Sequence, residues 1–463
     1  MLDKLANIFR IPDLRKRILF TLGMLFVYRL GGHLPTPGID TAKLESFFTQ
    51  GSTGGSLLGF VDLFSGGQLR RMTIFALGIM PYITASIILQ LLTVVYEPLA
   101  KLQKEGELGR KKITQWTRYI TVILSSVQSF GIAIGLEKGG FALNPGWGFR
   151  LMTMLTLTTG SAFIMWLGEQ ITERGVGNGM SLLIFAGIVV GLPRGVVELI
   201  DKAKNASWGA ITFPLMILLI AFMVVVVAFI VYVERSERRI PVQYAKRVVG
   251  RKVMGGQSTH LPLRVNAGGV MPVIFASSIL TLPQTIGYGL RTNRYFGPLF
   301  DAIRWGEPLY AVLYGVGIIF FAYFYVSIVF NPSEVADNMR KYGGFIPGIR
   351  PGRRTADFIN EVLTRITLVG ALYLIVISFI PEWMITGIHL NHLWGPIGRF
   401  FDNLPTWVTN GLGVTFYFGG TSLLIVVGVA MDTVTQIEAQ LVMRHYDGFT
   451  PRSGRIRGRR SWS

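Results

Sequence analysis

Long apolar segments are the feature that most constrains how this chain of 463 residues folds. Ten of them recur along the sequence, most of them long enough to cross the roughly 30 Å of a bilayer as an α-helix. Half of all residues are hydrophobic and only 15% are charged. This pattern predicts an all-α polytopic membrane protein. The segments lie at roughly residues 18–36, 72–96, 116–136, 151–170, 180–199, 211–233, 268–290, 308–330, 363–384 and 412–436.

The distribution of basic residues orients these segments. Ten spans place both termini on one side, and the loops of that side carry more than twice as many Lys and Arg as the opposite loops. The positive-inside rule then puts both termini in the cytoplasm. Residues 1–17 lack the apolar core of a removable signal peptide, so the first span is expected to act as the insertion signal.

A polar hinge at 201–209 divides the chain into two sets of five spans. Equal halves with an odd number of spans are oppositely oriented, which an inverted repeat requires. We therefore divide the chain into a cytoplasmic N-terminal segment, two five-helix halves and a basic cytoplasmic tail. Their bounds are 1–17, 18–205, 206–437 and 438–463.

The stretch from Gly54 to Pro98 breaks the pattern of full spans. Its first apolar run, Leu57–Phe64, would make a helix of roughly 12 Å, too short to cross a bilayer. The run ends at a glycine break and a full-length apolar segment follows. The pattern allows two interpretations: a helix lying on the membrane surface, or a re-entrant helix within the protein.

Two large basic loops stand on the predicted cytoplasmic side. Residues 234–267 alternate apolar and basic residues, which predicts a protruding β-hairpin. Residues 331–362 predict a short helix followed by a turn at Phe345–Gly352. Such loops serve either as topology determinants or as docking sites for an acidic partner such as ribosomal RNA or an acidic protein surface.

Several classes of protein are disfavoured. No ionisable residue lies in the middle of any span, whereas ion-coupled transporters need such groups at the midplane. An inverted-repeat secondary transporter is therefore disfavoured, but it stays the second candidate class. The sequence holds no HExxH, GxSxG or nucleotide-binding glycine loop, and the absence of cysteine excludes thiol chemistry.

Five stretches across both halves resemble bacterial SecY proteins, the central subunits of the Sec protein-conducting channel. They read FSGGQLRRMTIFALGIMPYITASIILQLLTVV, LGEQITERGVGNGMSLLIFAGIV, GGVMPVIFASSIL, FIPGIRPGRRTADFI and FGGTSLLIVVGVAMDT. The resemblance covers about residues 1–446. It implies an hourglass-shaped channel, not an enzyme and without a cofactor, that translocates unfolded signal-bearing polypeptides and releases hydrophobic segments laterally into the bilayer. The implied partners are SecE-like and SecG-like subunits, the SecA motor and the ribosome.

The resemblance also implies roles for individual residues. An apolar ring at the constriction is expected from Ile83, Ile87, Met180, Ile184, Ile274 and Ile425, with Met180 standing where an isoleucine is expected. Residues from about 55 to 70 match a re-entrant plug helix that includes Leu57, Leu58, Phe60, Val61, Leu63, Phe64, Gly66 and Gly67.

A lateral gate is implied between the second and seventh spans, with the third and eighth spans beside it. Its candidate residues are Thr84, Gln90, Ser277 and Ser278. The basic loops are implied to dock the motor or the ribosome, and Arg350 matches the main docking arginine of the family. The other candidate docking residues are Arg247, Arg251, Lys252, Arg340 and Lys341.

Overall fold

The computed structural model describes residues 11–44, 65–204, 212–244, 247–249, 252–254, 258–287, 303, 307–386 and 420–447. Three sets of predictions fall outside these residues. They are the plug positions Leu57, Leu58, Phe60, Val61, Leu63 and Phe64, the docking candidate Arg251, and the basic tail after Asp447.

In the part of the chain that the structure describes, each of the ten predicted spans overlaps one helix of at least 16 residues. Short helices follow the second and eighth spans, and five strands lie in the two basic loops. The helices are α1 (Pro12–Gly31), α2 (Met80–Val95), α3 (Glu97–Lys104), α4 (Glu107–Lys138), α5 (Trp147–Arg174), α6 (Gly179–Lys204), α7 (Thr212–Glu234), α8 (Met271–Gly287), α9 (Pro308–Val329), α10 (Pro332–Lys341), α11 (Arg353–Thr386) and α12 (Gly420–Asp447).

Within the described residues, seven helices are long and apolar enough to cross a membrane: α4, α5, α6, α7, α9, α11 and α12. Helix α2 reaches this length only together with α3, which is bent from it by 106°. Helix α8 is shorter, and α1 carries a cluster of charges in its first turns. The predicted class is therefore confirmed, whereas the full set of ten crossings stays a prediction.

The second predicted span is wrong in its first eight residues. Residues 72–79 form successive turns, with positive φ angles at Met72 (44°) and Gly78 (57°), and the helix begins only at Met80. This irregular backbone is largely buried, because two glycines let it approach neighbouring helices. The Phe75 ring lies against Gly31 of α1, and the Ile74 carbonyl lies against Gly160 of α5. Non-helical backbone at membrane depth is tolerated when protein surrounds it in this way.

Gly160→Ala is expected to destabilise the protein by roughly 1–3 kcal/mol, because the new methyl group has no space. A Cβ at this position would lie 1.9 Å from the Ile74 carbonyl oxygen. Thermal unfolding of the detergent-purified protein measures the effect. Gly23→Ala is the control, since a Cβ there meets nothing within 4 Å. Equal melting temperatures for the two variants would contradict this account of residues 72–79.

The predicted β-hairpin is confirmed. Strand β1 (Glu237–Tyr244) pairs antiparallel with β4 (Ser258–Arg264), and the short strands β2 (Arg247–Val249) and β3 (Lys252–Met254) pair with each other. A third strand, β5 (Gly344–Phe345), comes from the second basic loop and pairs with β1. Beneath this sheet lies an apolar cluster of Ile240, Val242, Leu263, Met339, Ile346 and Ile359. The two basic loops therefore form one structure.

Candidate functional site

The five isoleucines of the predicted ring belong to the largest apolar cluster among the described residues, and Met180 packs against it. They come from four helices: Ile83 and Ile87 from α2, Met180 and Ile184 from α6, Ile274 from α8 and Ile425 from α12. The five isoleucines are buried, and Met180 is partly exposed. Residues four apart share one helix face, so each helical pair points in one direction. The structure thus brings together residues that are up to 342 positions apart in the chain.

A cavity of about 430 Å³ meets this cluster. Four ring residues line it, namely Ile83, Met180, Ile184 and Ile274, whereas Ile87 and Ile425 are not among its lining residues. Its other lining residues are of both kinds. The polar and charged ones are Ser86, Gln90, Thr114, Arg118, Glu169, Thr172, Glu173, Asn178 and Ser181, and the apolar and aromatic ones are Tyr82, Met271, Phe275 and Tyr325. This cavity, called the vestibule below, therefore combines polar side chains with apolar residues of the predicted ring in its wall.

An ion pair that sequence reasoning missed lies in the vestibule wall. Arg118 of α4 donates from Nε and from its terminal nitrogen to the two carboxylate oxygens of Glu169 in α5, each at 2.8 Å. Such two-bond geometry is the strongest form of an arginine–carboxylate pair. The available signal was complementary charge near the ends of two consecutive spans. The pair fastens α4 to α5 and leaves the ring itself uncharged.

The helices of the predicted gate are in direct contact. Helix α2 contacts α8, α4 contacts both, and α9 contacts α8. Across this contact, Ser278 Oγ lies 3.6 Å from the Met80 sulfur. The hydroxyls of Thr84, Ser277 and Ser278 each donate to a carbonyl three or four residues earlier in their own helix.

Because the hydroxyls are satisfied within their own helices, the described contact between α2 and α8 is mainly one of apolar and weakly polar surfaces. The fourth gate candidate, Gln90, donates to Ser86 Oγ of its own helix at 3.4 Å and faces the vestibule. The Gln90 amide therefore makes this hydrogen bond within α2 and not across the gate, although its place in the vestibule wall fits a role beside the gate.

The glycine pair near the end of the predicted plug is closely surrounded by protein. Gly66 and Gly67 have φ angles of +72° and +81°, which side-chain-bearing residues rarely adopt. A Cβ on Gly66 would lie 2.7 Å from the carbonyl oxygen of Gly187 in α6. Gly187 comes three residues after Ile184, so the end of the predicted plug lies against a helix that supplies ring residues.

Arg350 stands on the turn after β5 with an exposed side chain. Its backbone is fixed, because Thr355 Oγ1 donates to the Arg350 carbonyl at 3.0 Å and Ile346 is buried below. Arg340 and Lys341 are exposed at the end of α10. Arg247 and Lys252 begin strands β2 and β3. Arg340, Lys341 and Arg350 therefore lie beside the sheet of β4, β1 and β5. Arg247 and Lys252 belong to the separate two-stranded sheet of β2 and β3.

The structure thus describes a polytopic helical membrane protein with a buried apolar cluster at the vestibule. Solved structures share this fold. One, described as "The structure of a protein conducting channel", has a TM-score of 0.60 and 17% sequence identity, and the match covers 94% of this chain and 95% of that one. Another, Sec61 in the canine ribosome-channel complex from the endoplasmic reticulum, has a TM-score of 0.58 and 16% identity, covering 94% and 95%.

Sequence comparison narrows the class to one family. The model of the SecY family matches residues 73–434. The protein translocase subunit SecY of Escherichia coli K12 is 48% identical over 443 residues, which cover 94% of this chain and 93% of the relative. That of Streptomyces griseus is 46% identical over 461 residues, covering 97% and 100%. The chain belongs to the SecY family, and the predicted resemblance is confirmed.

Proposed function

We propose that this chain is the channel subunit of a protein translocase and is not an enzyme. Unfolded signal-bearing polypeptides pass through it across the cytoplasmic membrane, and hydrophobic segments leave it sideways into the bilayer. The observation that carries this proposal is the convergence of apolar side chains from four helices beside the vestibule. Relatives that are 46–48% identical and named as protein translocase subunits support it.

The apolar ring seals the channel by excluding water. A narrow apolar constriction dewets and so blocks ions, yet it offers no strong binding site that would hold a passing chain. Met180 fits this role despite replacing the expected isoleucine, because its flexible thioether fills irregular space. In the closed state, the plug around residues 55–70 rests against the ring, and the close contact of Gly66 with Gly187 supports that position.

Two five-helix halves, 18–205 and 206–437, surround the pore with both termini in the cytoplasm. The ten helices at the ten predicted segments support this arrangement. The second candidate class, a secondary transporter, is set aside, because the family to which the chain belongs consists of translocase channel subunits.

The proposed partners are SecE-like and SecG-like membrane subunits, the SecA motor and the ribosome. The sheet formed by the two basic loops is the proposed docking surface. Beside it, the end of α10 presents Arg340 and Lys341 to solvent, and the turn after β5 presents Arg350. Basic surfaces of this kind bind the phosphates of ribosomal RNA or an acidic protein surface. A neighbour in fold, Sec61, has been solved in a ribosome-channel complex, which supports the ribosome as a partner.

Crosslinking from the gate tests the proposed function. The chain has no cysteine, so a single introduced thiol is unambiguous. Thiol-directed crosslinkers on Thr84→Cys and Ser277→Cys are expected to trap the signal peptide of a stalled translocation substrate. Leu218→Cys, on the exposed face of α7, is the control and is expected to give no product. Equal yields from all three positions, or none from the gate positions, would contradict lateral release between α2 and α8.

A further inference from the structure

The buried side-chain amide of Asn266 lies at the base of the hairpin. Asn266, only 5% exposed, lies between β4 and α8. Its Nδ2 donates to Oε1 of Glu234, the last residue of α7, at 2.7 Å. The same nitrogen donates to the carbonyl oxygen of Gly269 at 3.0 Å. One side chain therefore ties the end of α7 to the loop that enters α8.

The backbone around this amide is tightly packed. The Val265 N–H donates to the Ser236 carbonyl at 3.0 Å. A Cβ on Gly370 of α11 would lie 2.8 Å from the Val265 carbonyl oxygen, and one on Gly428 of α12 would lie 2.5 Å from Val270. Close-packed protein transmits displacement instead of absorbing it. The junction is thus packed closely against α11 and α12.

Helix α8 begins five residues after Asn266 and carries residues of both the ring and the gate. Ile274 lines the vestibule, and Ser278 contacts Met80 of α2. On the other side of the junction, β1 pairs with β4 and with β5, whose loop presents Arg350. The proposed docking surface and the proposed gate helix therefore meet at Asn266.

We propose that Asn266 is a positioning residue that couples docking on the sheet to the α2–α8 gate. This inference rests on the function proposed above. Gly268 and Gly269 precede α8, and Gly269 has a positive φ of 57°. Two glycines would let the hairpin swivel without moving α8. The hydrogen bond from Asn266 to the Gly269 carbonyl bridges this glycine pair, and the bond from Asn266 to Glu234 anchors it to the end of α7. A bond to a carboxylate is among the stronger ones in proteins.

The experiment reads docking and gating separately. Because the chain has no native cysteine, a Met80→Cys/Ser278→Cys pair reports the gate contact through a short thiol-specific crosslinker. Vacant ribosomes are the docking probe, and co-sedimentation measures their affinity. The crosslinking yield of this cysteine pair is compared in four backgrounds. They are the parent, Asn266→Asp, the exchange Glu234→Gln/Asn266→Asp, and the control Asn360→Asp. Asn360 is exposed, so the control makes the same chemical change away from the junction.

In the parent, bound ribosomes are expected to lower the crosslinking yield by about fivefold, the lower range of measured couplings between sites. Asn266→Asp places a second carboxylate against Glu234, so ribosomes should bind with parental affinity while the yield stays unchanged. The exchange restores an amide-to-carboxylate bond between residues 234 and 266 but not the bond to Gly269, because a carboxylate cannot donate, so part of the response should return. By linkage, crosslinking the gate should weaken ribosome binding in the parent and leave it unchanged in Asn266→Asp.

Three results would overturn the proposal: a parental response in Asn266→Asp, loss of ribosome binding in that variant, or a parent that binds ribosomes without any response. A parent that does not bind ribosomes contradicts the proposed docking, and the coupling with it. Thermal unfolding checks each variant. If Asn266→Asp does not fold, Asn266→Ala removes the donor without adding charge, and unfolding of both would show a purely structural residue.

Discussion

Ile274→Asn is expected to make the resting channel leak ions. Ile274 is 3% exposed and lies in the wall of the vestibule, where ring residues from α2 and α6 also meet the cavity. An amide at this position holds water by hydrogen bonds, so the constriction no longer dewets. Conductance of planar bilayers containing the purified complex, without any translocating chain, should rise several-fold over that of the parent protein.

A control must share the energetic cost of this substitution. Burying an amide in an apolar cluster costs roughly 1–3 kcal/mol wherever it is placed. Ile318→Asn imposes that cost within the same cluster, because Ile318 of α9 is fully buried and is not among the vestibule residues. It should lower the melting temperature without raising conductance. Equal leakage from both variants would show that loosened helix contacts, and not the polarity of the ring, open the path for ions.

Hydropathy located the helices but not their ends. The apolar runs predicted all ten long helices because burial in lipid is a local property of composition. Helix α4 nevertheless begins at Glu107, nine residues before the apolar run, since a helix continues through charged residues that leave the membrane. The turns at 72–79 could not be predicted, because they depend on contacts with Gly31 and Gly160, which are distant in sequence.

The candidate site could also be predicted only in part: features with a local signal in the sequence were found, and features that depend on distant residues were missed. Alternating residues predicted the hairpin, since the period of two is readable in the chain. Strand β5 was missed because a two-residue strand carries no periodic signal. The ring positions came from resemblance alone, for each isoleucine taken singly looks like ordinary helix packing. The Arg118–Glu169 pair and the Asn266 junction depend on residues 51 and 32 positions apart, so only the folded chain brings them together.

Arg350→Glu is expected to abolish transport driven by a docked partner while leaving the protein folded. The turn is held by its backbone: Gly348 and Gly352 adopt positive φ angles, and Thr355 donates to the Arg350 carbonyl. The arginine side chain itself is exposed. Reversing its charge within a docking surface should cost about 2 kcal/mol or more in binding, which is roughly thirtyfold in affinity.

Translocation of a signal-bearing substrate into proteoliposomes measures the effect, and ribosome co-sedimentation measures docking in parallel. Arg71→Glu is the matched control, because Arg71 is also exposed but lies in a loop on the predicted opposite side of the membrane. Both variants should unfold at the parental temperature, since the buried residues beneath the Arg350 turn, such as Ile346, are untouched. Transport by Arg350→Glu at the level of the parent protein would contradict the proposed docking role of this turn. Loss of transport in both variants would instead point to a general effect of charge on the channel.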